Sequence, residues 1–223
     1  GHRPGSDAVA LNRITNGNAS QILGRLKANG HLYLVNPNGI AFGPDAVVDV
    51  AGLVATSASI PVSDFAAGQD VFSIPSPADA VVSNQGTISA RDAGIAALVA
   101  PTVENHGTIT ARLGTVVLGA ADTVTVDLYG DGLIQLGIQD ETLEQMTGGR
   151  LSALNRGRLE AAGGVVRMSA ASAREASDAV IAMDGVATAR TVTHQPGRVI
   201  LHAGAHGDVS VSGTVDASAD RTG

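Results

Sequence analysis

Cysteine is absent from this 223-residue chain, so it carries no disulfide framework and no thiol chemistry. That absence suits an intracellular protein. It equally suits a secreted bacterial protein that stays unfolded until it has crossed a membrane, since a premature disulfide would block passage. Tryptophan is also absent, and aromatic residues make up 2% of the chain. Core bulk must then come from valine, isoleucine, leucine and alanine. Such residues suit narrow, regular layers better than a sandwich built on aromatic anchors. Lysine is nearly absent and the formal charge is −7. With neither a basic patch nor interleaved aromatics, nucleic acid is not expected as a partner. No apolar run approaches the ~20 residues needed to span a bilayer, and no signal-peptide pattern opens the sequence. Helical patterning is scarce: Ser20 to Asn29 sets Ile22, Leu23 and Leu26 at helical spacing, and Gly24 weakens even that. The opening GHRPGS reads as a cloning remnant, and residues 1–7 are set aside from fold reasoning.

What the chain does have is glycine, 28 of them, and a repeat. VSNQGTISA (82–90) recurs as VENHGTITA (103–111) and more loosely as ALNRGRLEA (153–161), IAMDGVATA (181–189) and VSVSGTVDA (209–217). The central glycines are Gly86, Gly107, Gly157, Gly185 and Gly213, at steps of 21, 50, 28 and 28 residues, in the range where solenoids occur. Most units add a second β-branched run, such as GIAALVA (94–100), GTVVLGA (114–120), GGVVRMSA (163–170) and GRVILHA (197–203). Strand, corner, strand in ~20–28 residues is one coil of a parallel β-helix.

Alternation sorts the faces. Val82, Ile88 and Ala90 are predicted to point inward, and Gln85, Thr87, Ser89 and Arg91 outward. Stacking predicts outward columns of Thr87, Thr108 and Thr214; of Ser89, Thr110, Glu160, Thr188 and Asp216; and of Arg91, Arg112 and Arg190. Asn84, Asn105 and Asn155 share a corner column, lapsing at Met183 and Val211. Either they are independent turn asparagines, or each amide bonds the next coil in a ladder. The long step holds TVTVDL and LIQLGI around YGDG, which predicts an antiparallel hairpin protruding within 122–149, followed by a polar segment with Asp140, Glu141 and Glu144.

One stretch does not repeat. In LVNPNGIAFGP (34–44) an apolar run ends in Asn36-Pro37-Asn38-Gly39. Pro37 fixes φ, while Asn38 and Gly39 tolerate φ > 0, so this is strong turn chemistry. The turn also sits in a segment, 8–57, that closely resembles the amino-terminal secretion domain of two-partner-secretion exoproteins, the filamentous-haemagglutinin-like or haemagglutination-activity domain. The matching pieces are LNRI (11–14), SQILGRL (20–26), ANGHLYLVNPNGIAFG (28–43) and VDVAGLVATS (48–57). Later segments, among them NQGTISA and GGVVRMSA, are similar to the coils that follow in that family.

The resemblance implies a right-handed parallel β-helix, one domain over 1–223, that is not an enzyme and needs no cofactor. It implies an address read by the periplasmic domains of a dedicated outer-membrane transporter, and a nucleus for folding a longer exported adhesin, cytolysin or contact-dependent toxin. The protein would then be secreted or displayed on the surface of a Gram-negative cell, with any host target bound through downstream regions. By matching motif, the signal-bearing residues are Asn12, Arg13, Asn36, Pro37, Asn38, Gly39 and Ile40. The family pattern also begins some tens of residues earlier, with capping strands and a first Asn-Pro-Asn motif, and continues past VDASADRTG. The chain is therefore expected to be a fragment whose uncapped ends expose strand edges and invite pairing with another copy.

Other chemistries fare poorly on the same residues. Glu160 and Asp216 share a column but lie about two coils apart, ~10 Å at ~4.8 Å per coil, too far for a paired-carboxylate polysaccharide-cleaving site. Asp122, Asp127 and Asp131 belong to the hairpin, where charge solubilises an edge. His194, His202 and His206 read as surface histidines, because the 202–206 spacing would need a helix to converge on a metal. The Arg91, Arg112 and Arg190 column could meet an anionic glycan, or interleave with the acidic surface. An adhesive or structural stalk binding a host glycan or protein is the remaining alternative, though a stalk has no need of a non-repeating leading segment.

Overall fold

The computed structural model describes residues 8–15, 17–127, 134–138, 150–171, 178–204 and 207–219. The predicted turn at 129–132, the acidic residues Asp131, Asp140, Glu141 and Glu144, and His206 lie outside them. The chain winds as a right-handed parallel β-helix. It visits three sheets in fixed rotation, and each sheet stacks seven parallel strands. One coil shows the plan: Ile95–Ala100 lies in sheet 1, Thr102–Asn105 in sheet 2 and Thr108–Ala111 in sheet 3.

The glycine repeat is the corner between sheets 2 and 3. A Cβ on Gly107 would lie 2.1 Å from the Gly86 carbonyl oxygen, and one on Gly157 would lie 2.0 Å from that of Gly107. Gly185 and Gly213 continue the column at 2.2 and 2.0 Å. Backbone rests on backbone there, so only glycine fits. Register in sheet 3 follows: Thr87 pairs with Thr108, and Ser89, Thr110, Glu160, Thr188 and Asp216 run in one column. Ile88, Ile109, Leu159 and Ala187 point inward and are buried, while Thr87 is exposed. Arg158 and Val186 interrupt the threonine column before Thr214.

Sheet 1 departs from simple alternation. Gly52–Thr56 and Ile95–Ala100 are buried at every position, the signature of a sheet covered on both faces. The cover is a three-stranded antiparallel sheet of Val71–Phe72, Thr123–Val126 and Ile134–Gly137. The predicted hairpin therefore pairs as expected, with Val124 opposite Leu136. It also takes a strand from an earlier excursion, 57–80, that the sequence patterning does not reveal. Asp122, expected to solubilise the hairpin, is instead fully buried at its base, where its carbonyl accepts from the Ser76 amide. Three of the five aromatics meet at this cover: Tyr33 meets Phe72 edge-on at 5.4 Å and Phe65 at 6.3 Å.

The helical spacing at Ser20–Asn29 is not a helix. It is two strands, Ser20–Ile22 and Arg25–Lys27, with Leu23 62% exposed at the corner between them. Two three-residue strands around Gly24 happen to space their inward residues like a helical turn. Among the described residues the α-helix is the short Val62–Ala66 in the first excursion.

Candidate recognition site at the first coils

The Asn36-Pro37-Asn38-Gly39 corner joins sheet 1 to sheet 2 in the second coil. The Gly39 amide donates to the Asn36 carbonyl at 2.9 Å, closing a tight turn with Pro37 at its second position. Gly39 sits at φ 98°, and a Cβ there would lie 2.6 Å from the Val81 carbonyl oxygen of the next coil. Both the dihedral and the space demand glycine. Ile40 is buried, opposite Ser20 on one side and Val82 on the other.

The two asparagines have opposite environments. Asn36 is fully buried and saturated. Its Nδ2 donates to the Asn18 carbonyl and to Ser20 Oγ, each at 2.9 Å. Its Oδ1 accepts from the Asn38 amide at 2.9 Å, an Asx turn inside the backbone turn. Asn38 stands exposed at the tip, with Pro37 half-buried beside it. Asn36 thus holds the corner's shape, and Asn38 is presented by it.

Asn12 and Arg13 lie on the first strand of sheet 1, opposite Leu34 and Val35, and both are exposed. Arg13 Nη1 donates to the Ile60 carbonyl at 3.3 Å, tying the first coil to the first excursion. Together with Leu11, Thr15, Val62 and Phe65 they line a cleft of about 550 Å³. The chain after Arg13 bonds back to the next coil, Ile14 donating to the Val35 carbonyl and Ser20 to that of Gly39. The structure thus places the two segments on adjacent coils, joined by the backbone bonds of Ile14 and Ser20. Asn18 and Ser20, the partners of Asn36, are not in the motif; the turn-rich NGNAS at 16–20 was their only signal in the sequence.

Behind this end runs an asparagine ladder. Asn84 Nδ2 donates to Asn105 Oδ1 at 2.8 Å, and Asn105 Nδ2 to Asn155 Oδ1 at 2.7 Å. All three are fully buried. The ladder ends on sulfur, Asn155 Nδ2 lying 3.3 Å from Met183 Sδ, a weak acceptor. On the preceding coil the column is occupied by Phe42.

The outer face of sheet 3 and the corner beyond it carry pairs of opposite charge. Arg112 pairs with Asp92, Arg158 with Glu160 at 2.9 Å and Arg190 with Asp216 at 2.6 Å. The Ser218 backbone amide and hydroxyl, then the Arg190 guanidinium, lower the Asp216 pKa to about 2. Glu160 and Asp216 remain two coils apart, with Thr188 between them. Among the described residues no three histidine or carboxylate side chains converge on a metal site; His194 and His202 are exposed.

The geometry is that of a β-solenoid whose first coils carry a non-repeating, tightly bonded corner. The model of the TPS secretion domain family matches residues 2–217, and the chain belongs to that family: it is a two-partner secretion domain. Over 55 residues it is 54% identical to a heme/hemopexin-binding protein of Haemophilus influenzae, a match covering 25% of this chain and 6% of that protein. The chain thus corresponds to a small part of that relative's length. The crystal structure of the HMW1 secretion domain from Haemophilus influenzae aligns with 98% of this chain and 71% of its own, with a TM-score of 0.62 at 19% identity. At that identity the likeness speaks to the fold.

Proposed function

We propose that the chain works as one domain, the secretion signal and folding nucleus of a larger Gram-negative exoprotein of the adhesin, cytolysin or contact-dependent toxin type. The periplasmic domains of a partner outer-membrane transporter read the surface formed by Asn12, Arg13 and the Asn36–Ile40 corner, and the exoprotein passes through the periplasm and outer membrane. The domain itself performs no catalysis and holds no cofactor; host contacts belong to downstream regions. The observation that carries the recognition reading is the division of labour at the corner. Asn36 is buried and fully bonded, yet the residue it props, Asn38, is exposed. Loops held rigid by a scaffold are where recognition concentrates.

Secretion of the full-length exoprotein with Asn38→Ala or Asn36→Ala, alongside thermal melts of the isolated domain, tests this. Asn38→Ala should lower export severalfold and leave the melting temperature nearly unchanged. Asn36→Ala should lower both, because it removes three hydrogen bonds made by a buried side chain, each worth about 0.5–1.5 kcal/mol net. Normal export of both variants refutes the role given to the corner.

A further inference from the structure

We propose that the first excursion, 57–80, and the hairpin strands Thr123–Val126 and Ile134–Gly137 form a single latch that spans the outer face of sheet 1 from coil two to coil five and that folds and opens as one cooperative unit. This rests on the fold alone and does not depend on where a transporter binds. Both excursions leave the solenoid at the same corner, between sheets 1 and 2: one after Thr56, the other after Ala120. Each completes the other. Val71 pairs with Thr125 and Phe72 with Val124. The Val126 amide donates to the Asp70 carbonyl, and the Ser76 amide to that of Asp122, each at 2.9 Å. Beneath them Ser57 Oγ and Ser76 Oγ lie 2.8 Å apart, and Ser76 Oγ reaches the Asp122 carbonyl at 3.2 Å, all buried.

The latch grips coils far apart along the solenoid. Phe65 and Phe72 close over Tyr33 in the second coil. At the other end Leu136 sits on Gly119 in the fifth, so close that a Cβ there would lie 2.8 Å from Leu136 Cδ2. A plain solenoid couples each coil only to its neighbours. Here a two-residue strand, Val71–Phe72, depends on a partner some fifty residues later, and a pair so short has no independent stability. The first excursion therefore stays loose until the chain through Gly137 is available, and then both fix together.

Amide hydrogen exchange on the whole chain tests the coupling. The Ile74 amide, bonded to the Ser59 carbonyl, reports the first excursion; the Asp122 amide, bonded to that of Gly137, reports the second. Phe72→Ala should speed exchange at Asp122 about a hundredfold or more, and Val124→Ala should likewise speed Ile74, while Ile88 and Ile109 in sheet 3 stay protected. Should Phe72→Ala unfold the chain, Phe72→Leu should give a smaller rise at Asp122 in the same direction. In pulse-labelled refolding of the unsubstituted chain, Ile74 and Asp122 should gain protection in one phase. An Asp122 amide indifferent to change at Phe72, or Ile74 protected in an earlier phase than Asp122, overturns the proposal.

Discussion

The asparagine ladder makes a quantitative claim about neighbours. Asn105→Ala removes the bonds from its amide to Asn155 Oδ1 at 2.7 Å and to the Gly107 carbonyl at 3.1 Å. It also takes away the acceptor of Asn84 Nδ2. Every member of the ladder is buried, so water cannot replace the lost partners. Each unmet buried group costs about 1–3 kcal/mol, which puts the substitution at about 3–5 kcal/mol. For a chain of this length that lowers the melting temperature by about 6–20 °C at ~2–4 °C per kcal/mol. Far-UV circular dichroism during heating and in denaturant measures it. The sharper form is a double-mutant cycle. Asn84→Ala and Asn105→Ala share a bond, so the pair should cost about 1–2 kcal/mol less than the sum of the singles. Asn36→Ala and Asn155→Ala lie in separate hydrogen-bond networks with no shared partner and should add within about 0.5 kcal/mol. A loss under about 1 kcal/mol for Asn105→Ala, or strict additivity for the bonded pair, refutes the ladder as a stabilising element.

Gly107→Ala should be worse than an ordinary glycine substitution. The new methyl meets the Gly86 carbonyl oxygen at 2.1 Å, so backbone must move, and a loss of at least 3 kcal/mol is expected in the same melts. Asp216, whose folded pKa is lowered to about 2 from 3.8, contributes stability that is fully present above about pH 4 and is lost as pH falls through about 2. Titration of its carboxyl by NMR should find that low midpoint. Arg190→Ala should raise it only part of the way, because Ser218 is the larger cause.

How much of this was legible in the sequence depends on the range of the interaction. Corner glycines, inward isoleucines and the outward Ser89-to-Asp216 column repeat from coil to coil, so a single chain displays them many times. The hairpin was visible because its strands, Thr123–Val126 and Ile134–Gly137, lie close together around turn residues. Its third strand, Val71–Phe72, was not, since two residues carry no alternation and their partner lies some fifty residues on. The burial of Asp122 was hidden for the same reason: what covers it comes from the first excursion. At the second-coil corner, turn chemistry announced the bend at Asn36–Gly39. The opposite fates of Asn36 and Asn38 depend on Asn18 and Ser20 of the preceding coil, which no local pattern specifies.

The central claim is that the transporter reads the leading corner and not the repetitive flank. A photo-crosslinking residue placed at position 38 of an exoprotein halted in transit tests it most directly, with the exposed position 85 and the half-buried position 108 on the repeat as controls. Adducts to the transporter's periplasmic domains from position 38, with few from 85 or 108, are the predicted result. Equal yields from all three positions, or none from 38 while the repeat crosslinks, would contradict it.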